Sequence, residues 1–239
     1  MIRGWTGLLF LVASAHPTAA LAFSDPELFA LPVMEGGGGG RFFTGSSSDG
    51  YACGVCHLGG AKPALQLLGL PEREFVPGAV FDVELTWGAT GVPHALNLEF
   101  VTPTGEAAGS IVLPDPNSLE AADRCDAMHE GVPAAQLIAE SAPRQVLWVD
   151  DCGAQRVRFR YVAPNVPQLM FAASVVRTDA SEKPEGDGVL ELRRELSLVG
   201  SAPAEDGCSV TSRARSAPVS PLLLACAALW LGHRRRRAG

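Results

Sequence analysis

The stretch Ala79-Val80-Phe81-Asp82-Val83-Glu84-Leu85-Thr86-Trp87 decides the fold. Phe81, Val83, Leu85 and Trp87 fall on one face and Asp82, Glu84 and Thr86 on the other, the period of two that a half-buried strand requires. The alternation recurs downstream. Leu96, Leu98 and Phe100 interleave with Asn97 and Glu99, and Val157, Phe159 and Tyr161 interleave with Arg156, Arg158 and Arg160. Shorter apolar runs at 110–113, 145–149, 169–176 and 189–198 add four more strands. Turn residues separate them, among them Gly91-Val92-Pro93, Pro103-Thr104-Gly105 and Pro114-Asp115-Pro116. About seven strands so spaced predict a mainly-β chain forming a single antiparallel β-sandwich. One helical insertion is expected, with Ser118 capping a helix through His129 and a second short helix over 133–138.

Working outward, residues 23–50 read as a flexible Gly/Ser-rich lead-in, with glycine at every position from Gly36 to Gly40 and loop chemistry at Ser46-Ser47-Ser48-Asp49-Gly50. No strand precedes the glycine run and no helix follows it, so it is not a phosphate loop. Next comes Cys53-Gly54-Val55-Cys56-His57, the most chemically specific feature of the chain. Two cysteines three positions apart, followed directly by histidine, have the spacing of covalent c-type haem attachment. Each thiol can add to a porphyrin vinyl group, and His57 then ligates iron as the proximal residue. Strands begin soon after His57, leaving no room for the helices that usually surround such a haem. A haem box placed ahead of a sandwich is the expected geometry.

The two ends read as addressing segments. Residues 1–22 form a signal peptide, with Arg3, an apolar core from Leu8 to Ala15, and Ala20-Leu21-Ala22 before the cleavage point. Residues 201–239 read as a sorting and anchor tail, leaving 51–200 for the CxxCH loop and the sandwich. In the tail Cys208 precedes a polar spacer, an apolar run from Pro218 to Gly232, and Arg234, Arg235, Arg236 and Arg237. The arginines are a stop-transfer signal that stays cytoplasmic. An ordinary single-span anchor is the alternative reading of the same run. Both readings place the body outside the inner membrane.

Seven of the 19 Lys+Arg residues, and none of the 26 Asp+Glu, lie before residue 23 or after Cys208; this leaves 12 basic against 26 acidic residues, a net charge of −14. That balance excludes nucleic acid as a partner and disfavours anionic lipid. Of the six cysteines, Cys53 and Cys56 belong to the haem-type box, Cys208 to the tail and Cys226 to its apolar run. Cys125 and Cys152 remain, and a disulfide is their default in an oxidising compartment. A zinc site built from these two with Cys53 and Cys56 is the lesser alternative.

With these residues in view, the body resembles bacterial relatives of the reelin N-terminal (Reeler-like) domain. The matching stretches are Thr44-Gly45 through Cys53-Gly54-Val55-Cys56-His57-Leu58-Gly59-Gly60, Phe75-Val76-Pro77-Gly78-Ala79-Val80-Phe81, Phe159-Arg160-Tyr161-Val162-Ala163-Pro164 and Gly186-Asp187-Gly188. The resemblance implies an exported β-sandwich preceded by a Gly-rich segment and a CxxCH box, and says more about architecture than activity. The tail resembles the C-terminal sorting signal of myxobacterial surface proteins, which implies cleavage near Cys208 by an intramembrane processing protease and a lipid left on Cys208.

Candidate distal ligands to a haem iron are His94, Met128, His129 and Met170, each with an ordinary explanation. His94 reads as a polar loop residue, Met128 and His129 as the end of a helix, and Met170 as core packing. Asp179, Glu182, Glu185 and Asp187 gather oxygen ligands in one loop, so calcium is a candidate against a solvated acidic loop. Arg156, Arg158 and Arg160 are expected to pair with local carboxylates. No nucleophile motif supports hydrolysis. Two functions follow. One is a surface-anchored monohaem c protein in extracytoplasmic electron transfer or redox sensing, with a redox partner. The other is a non-haem adhesion or ligand-binding module for a surface ligand, with Cys53 and Cys56 in a structural disulfide.

Overall fold

The computed structural model describes residues 26–87, 94–138, 144–179, 181 and 183–201. The signal at 1–22, Cys208 and the rest of the tail from 202 onward lie outside the described residues. No helix among the described residues is long and apolar enough to cross a membrane.

Ten strands form two sheets. They are β1 (Leu65–Leu68), β2 (Glu74–Phe75), β3 (Val80–Trp87), β4 (His94–Val101), β5 (Ser110–Val112), β6 (Ala135–Ile138), β7 (Val146–Val149), β8 (Arg156–Val162), β9 (Gln168–Arg177) and β10 (Gly188–Leu198). One sheet has the order β1-β3-β8-β5, the other β2-β10-β9-β4-β7-β6. Neighbours are antiparallel except β2, which runs parallel to β10.

The alternation that predicted the strands also builds the core. Val83, Leu85 and Trp87 of β3 and Val157, Phe159 and Tyr161 of β8 face Leu96, Leu98 and Phe100 of β4 and Leu169, Phe171, Ala173 and Val175 of β9. Phe100 stacks on Tyr161 with ring centroids 3.6 Å apart. The Tyr161 hydroxyl donates to Ala108 O at 2.8 Å, and Trp87 Nε1 donates to Ala154 O at 2.6 Å, so neither buried polar tip is wasted.

All seven expected strands are present. β1 and β2 are additions, too short and too mixed in polarity to announce themselves. The helical insertion is corrected. Residues 118–129 form no α-helix but a chain of single 3-10 turns at Pro116–Ser118, Ala121–Asp123 and Ala127–His129. Residues 135–138, expected as helix, are strand β6 on the edge of the larger sheet, paired with β7. The run Ala134-Ala135 favours helix locally, but Leu137 and Ile138 gain cross-strand partners in Leu147 and Val146. The Cys125–Cys152 disulfide closes this insertion, with Cα atoms 4.9 Å apart. Arg156 and Arg158 both bind Asp123, and Arg156 also reaches Glu120 at 3.0 Å, the local pairing expected of these two; Arg160 forms no ion pair among the described residues. Burial pushes the Asp123 carboxyl up, but the two guanidiniums outweigh it and hold the group below its usual range.

The lead-in departs most from expectation. Residues 26–50 are largely irregular, yet they pack rather than trail. Pro26–Ala30 is a short helix whose Phe29 joins Phe42, Val146 and Trp148 in a second apolar cluster on the outer face of the larger sheet. Asn97 and Glu99, read as a solvent face of β4, are therefore buried beneath the segment.

Candidate functional site

Register fixes what lies under the CxxCH box. Ser174 of β9 sits opposite Asn97 on one side and Glu191 of β10 on the other, on the face turned away from the core. The lead-in crosses this face. Asn97 Nδ2 donates to Phe42 O at 2.8 Å, and the Cys53 N–H donates to Ser174 Oγ at 3.1 Å. Between these points the chain folds back on itself through a Thr44–Ala52 bridge.

A buried ionic clasp holds that loop down. Arg144 donates through Nε to Glu99 Oε2 at 2.9 Å, and through Nη2 to Glu99 Oε1 at 2.8 Å and Asp49 Oδ1 at 2.6 Å. Thr44 and Ser46 hydroxyls each donate to Glu99 Oε1 at 2.6 Å. Asp49 also accepts from the Phe42 and Thr44 backbone N–H groups. Both carboxylate side chains are at most 1% exposed. The paired carboxylates raise the Arg144 pKa above its ordinary value, against the opposing effect of burial. Sequence reasoning missed this cluster because Asp49 and Arg144 lie 95 residues apart.

Cys53, Gly54 and Val55 make one 3-10 turn, and Cys53 O accepts from both the Cys56 and His57 N–H groups, at 3.1 and 3.0 Å. Both cysteines are free thiols and partly buried. Desolvation around the Cys53 sulfur pushes its thiol up to about 11, partly offset by its hydrogen bond to Ser174. A thiol so shifted is a poor exchange nucleophile at neutral pH.

Past the turn, the chain docks on the loop before β10. Leu58 N–H donates to Pro184 O, Gly186 N–H to Leu58 O and Gly60 N–H to Asp187 O, at 3.0, 2.8 and 2.9 Å. Gly60 lies so close to the backbone of Gly186–Gly188 that a Cβ there has no space. This docking brings His57 Nδ1 to 2.7 Å from Asp187 Oδ2. The other oxygen, Oδ1, accepts from the Asp179 N–H at 2.9 Å. Nδ1 is thus engaged and Nε2 is the remaining ring nitrogen. Tyr51, Val55 and Leu58, each about half exposed, flank the turn with apolar surface.

The remaining candidates lie elsewhere. His94 is not a loop residue: it begins β4, is 1% exposed, and stacks on Trp87 at 5.9 Å on the core side of the sheet, opposite Ser174 and Cys53. Met128 is exposed at the insertion, and His129 there pairs with Asp126 at 2.7 Å, which raises the imidazole pKa. Met170 shares the Ser174 face of β9 but stands four residues along it, about 13 Å away at strand rise. Among the described residues, the acidic loop gathers no three carboxylates around one point. Asp187 is committed to His57 and Asp179, and Asp179 Oδ1 accepts from the Ser181 N–H. Glu182 lies outside the described residues, and no group of three or more His, Cys, Asp or Glu that could hold a metal ion occurs among those described.

No family model matches the chain, and no curated protein matches it. Among solved structures it is similar to the human F-spondin reeler domain, with 16% identity, 57% of this chain and 91% of that chain covered, and a TM-score of 0.35. A second structure, the Reelin-N domain of F-spondin, gives 16% identity, 59% and 94% coverage and a TM-score of 0.37. The β-sandwich assignment rests on the strand pairing of the chain itself.

Proposed function

We propose that the protein carries one c-type haem bound covalently to Cys53 and Cys56, with His57 as proximal ligand, and serves extracytoplasmic electron transfer or redox sensing at the cell surface, anchored through its C-terminal tail. The observation that carries this reading is the His57–Asp187 pair on a closed turn. A metal-ligating histidine characteristically donates its second ring N–H to a carboxylate or carbonyl. With Nδ1 bound to Asp187, Nε2 is the nitrogen left for iron. Two further features fit. The turn holds two free thiols three positions apart, directly ahead of His57 in the chain, and the half-exposed Tyr51, Val55 and Leu58 offer apolar surface to a porphyrin. Attachment adds each S–H across a vinyl C=C, forming a C–S bond and placing the hydrogen on the neighbouring carbon. When bound, the haem would supply a one-electron iron couple.

The enclosed Cys53 sulfur favours a second reading, a non-haem adhesion or ligand-binding module; the Cys53–Cys56 disulfide expected with it is not formed, both thiols being free, and the box instead pins the lead-in to β9 through Ser174. Expression with haem-maturation genes separates the two. A haem stain surviving a denaturing gel, an intact mass raised by one porphyrin, and loss of both in Cys56→Ala are expected. A colourless, unmodified protein from that host overturns the haem reading.

A further inference from the structure

We infer that Asp187 is a positioning residue for His57, setting which ring nitrogen faces the iron and biasing the iron toward its ferric state. This rests on the haem reading above. The carboxylate is itself immobilised. Its side chain is 5% exposed, Oδ1 is held by the Asp179 N–H, and its own carbonyl accepts from Gly60. Glycines flank it on both sides. Gly186 has φ 104°, a conformation unfavourable to side chains, and a Cβ on Gly188 would strike Ala61 O. The loop thus delivers one carboxylate oxygen to Nδ1, with the geometry of a charge-assisted hydrogen bond.

An acceptor bearing full negative charge has two effects on the ring. It keeps the hydrogen on Nδ1, so Nε2 carries the lone pair. It also draws Nδ1–H toward itself and raises the electron density at Nε2, making His57 a stronger donor than one bonded to a neutral carbonyl. A stronger axial donor stabilises the higher oxidation state of the iron. Replacing Asp187 by Asn removes the charge and turns one of its two accepting oxygens into an NH2 donor, and should move the redox equilibrium.

Two measurements on the full-length protein test this. In haem-loaded protein, Asp187→Asn should shift the ferric/ferrous equilibrium at least tenfold toward ferrous, about 59 mV for one electron. In unloaded wild-type protein made without maturation genes, nitrogen-15 NMR of His57 should show hydrogen on Nδ1 shared with the Asp187 carboxylate. A haem-loaded Asn variant with an unmoved potential overturns the inference, and so does an unloaded protein with hydrogen on Nε2 and none on Nδ1. The second measurement needs no haem and no Asp187 variant, so it decides the pairing even if the variant fails to mature. A wild-type protein without haem stain, but with Nδ1 protonated, refutes the haem reading and the iron bias while keeping the pair.

Discussion

Replacing Arg144 by Met tests the clasp that seats the CxxCH loop. The guanidinium makes three hydrogen bonds to two carboxylates whose side chains are at most 1% exposed. Methionine fills similar volume but leaves both carboxylates uncompensated. Breaking a buried ion pair from one side costs about 3–5 kcal/mol, a large share of the roughly 5–15 kcal/mol that holds a domain together. Arg144→Lys keeps the charge and loses the planar fork, so its cost should be smaller, about 1–3 kcal/mol for the charge-assisted bonds lost. Urea denaturation of the three proteins at one pH, read by tryptophan fluorescence, gives both differences. Amide exchange should rise first at residues 42–53, because their anchors are Asp49 and Glu99. A cost below 1 kcal/mol for Arg144→Met, or equal costs for Met and Lys, would show that the cluster is solvated or fungible and refute the reasoning.

Two other outcomes follow from the insertion. Replacing Cys125 and Cys152 by Ala opens a loop of sequence separation 27 and should cost about 3 kcal/mol on the chain-entropy account, measured as a lowered denaturation midpoint with a somewhat steeper slope, since the uncrosslinked unfolded chain exposes more surface. Asp150→Asn should stabilise the protein near neutral pH. Desolvation, then the charge of Asp151, pushes the Asp150 carboxyl up to about 6, while an unfolded chain has it near 3.8. A raised folded value means that ionisation opposes folding: the penalty is complete above about 6 and vanishes as pH falls toward 4. The full shift would correspond to about 3 kcal/mol, and partial solvent screening reduces the expected gain to about 1 kcal/mol. Stability curves for the two proteins should converge at pH 4, and a constant offset across pH would contradict this.

The strands were legible where one face meets the core and the other meets water. In β3 and β8 a period of two is the whole story, and the inner residues of both were named correctly from spacing. Strand β4 was legible as a strand but not as a doubly covered one, because nothing local to Asn97 or Glu99 signals that a distant segment lies over them. β6 was misread because four residues are too few for period to outweigh the helix preference of its alanines. At the candidate site, Cys53, Cys56 and His57 declared themselves by spacing alone. Asp187 was seen only within an acidic loop and the Gly186-Asp187-Gly188 stretch, with no link to His57, since its role depends on two backbone segments docking across 130 residues. His94 was read as a loop residue because its neighbours are turn formers, whereas the ring is buried on Trp87.

That 130-residue gap sets an order of events. On the proposed export amino end first, the thiols emerge long before β9, β10 and the Asp187 loop. During that interval the sulfur of Cys53 has no Ser174 to lie against and no enclosure to desolvate it. On the haem reading, the porphyrin would meet an open, accessible tether, and completion of the larger sheet would then shut the door behind it.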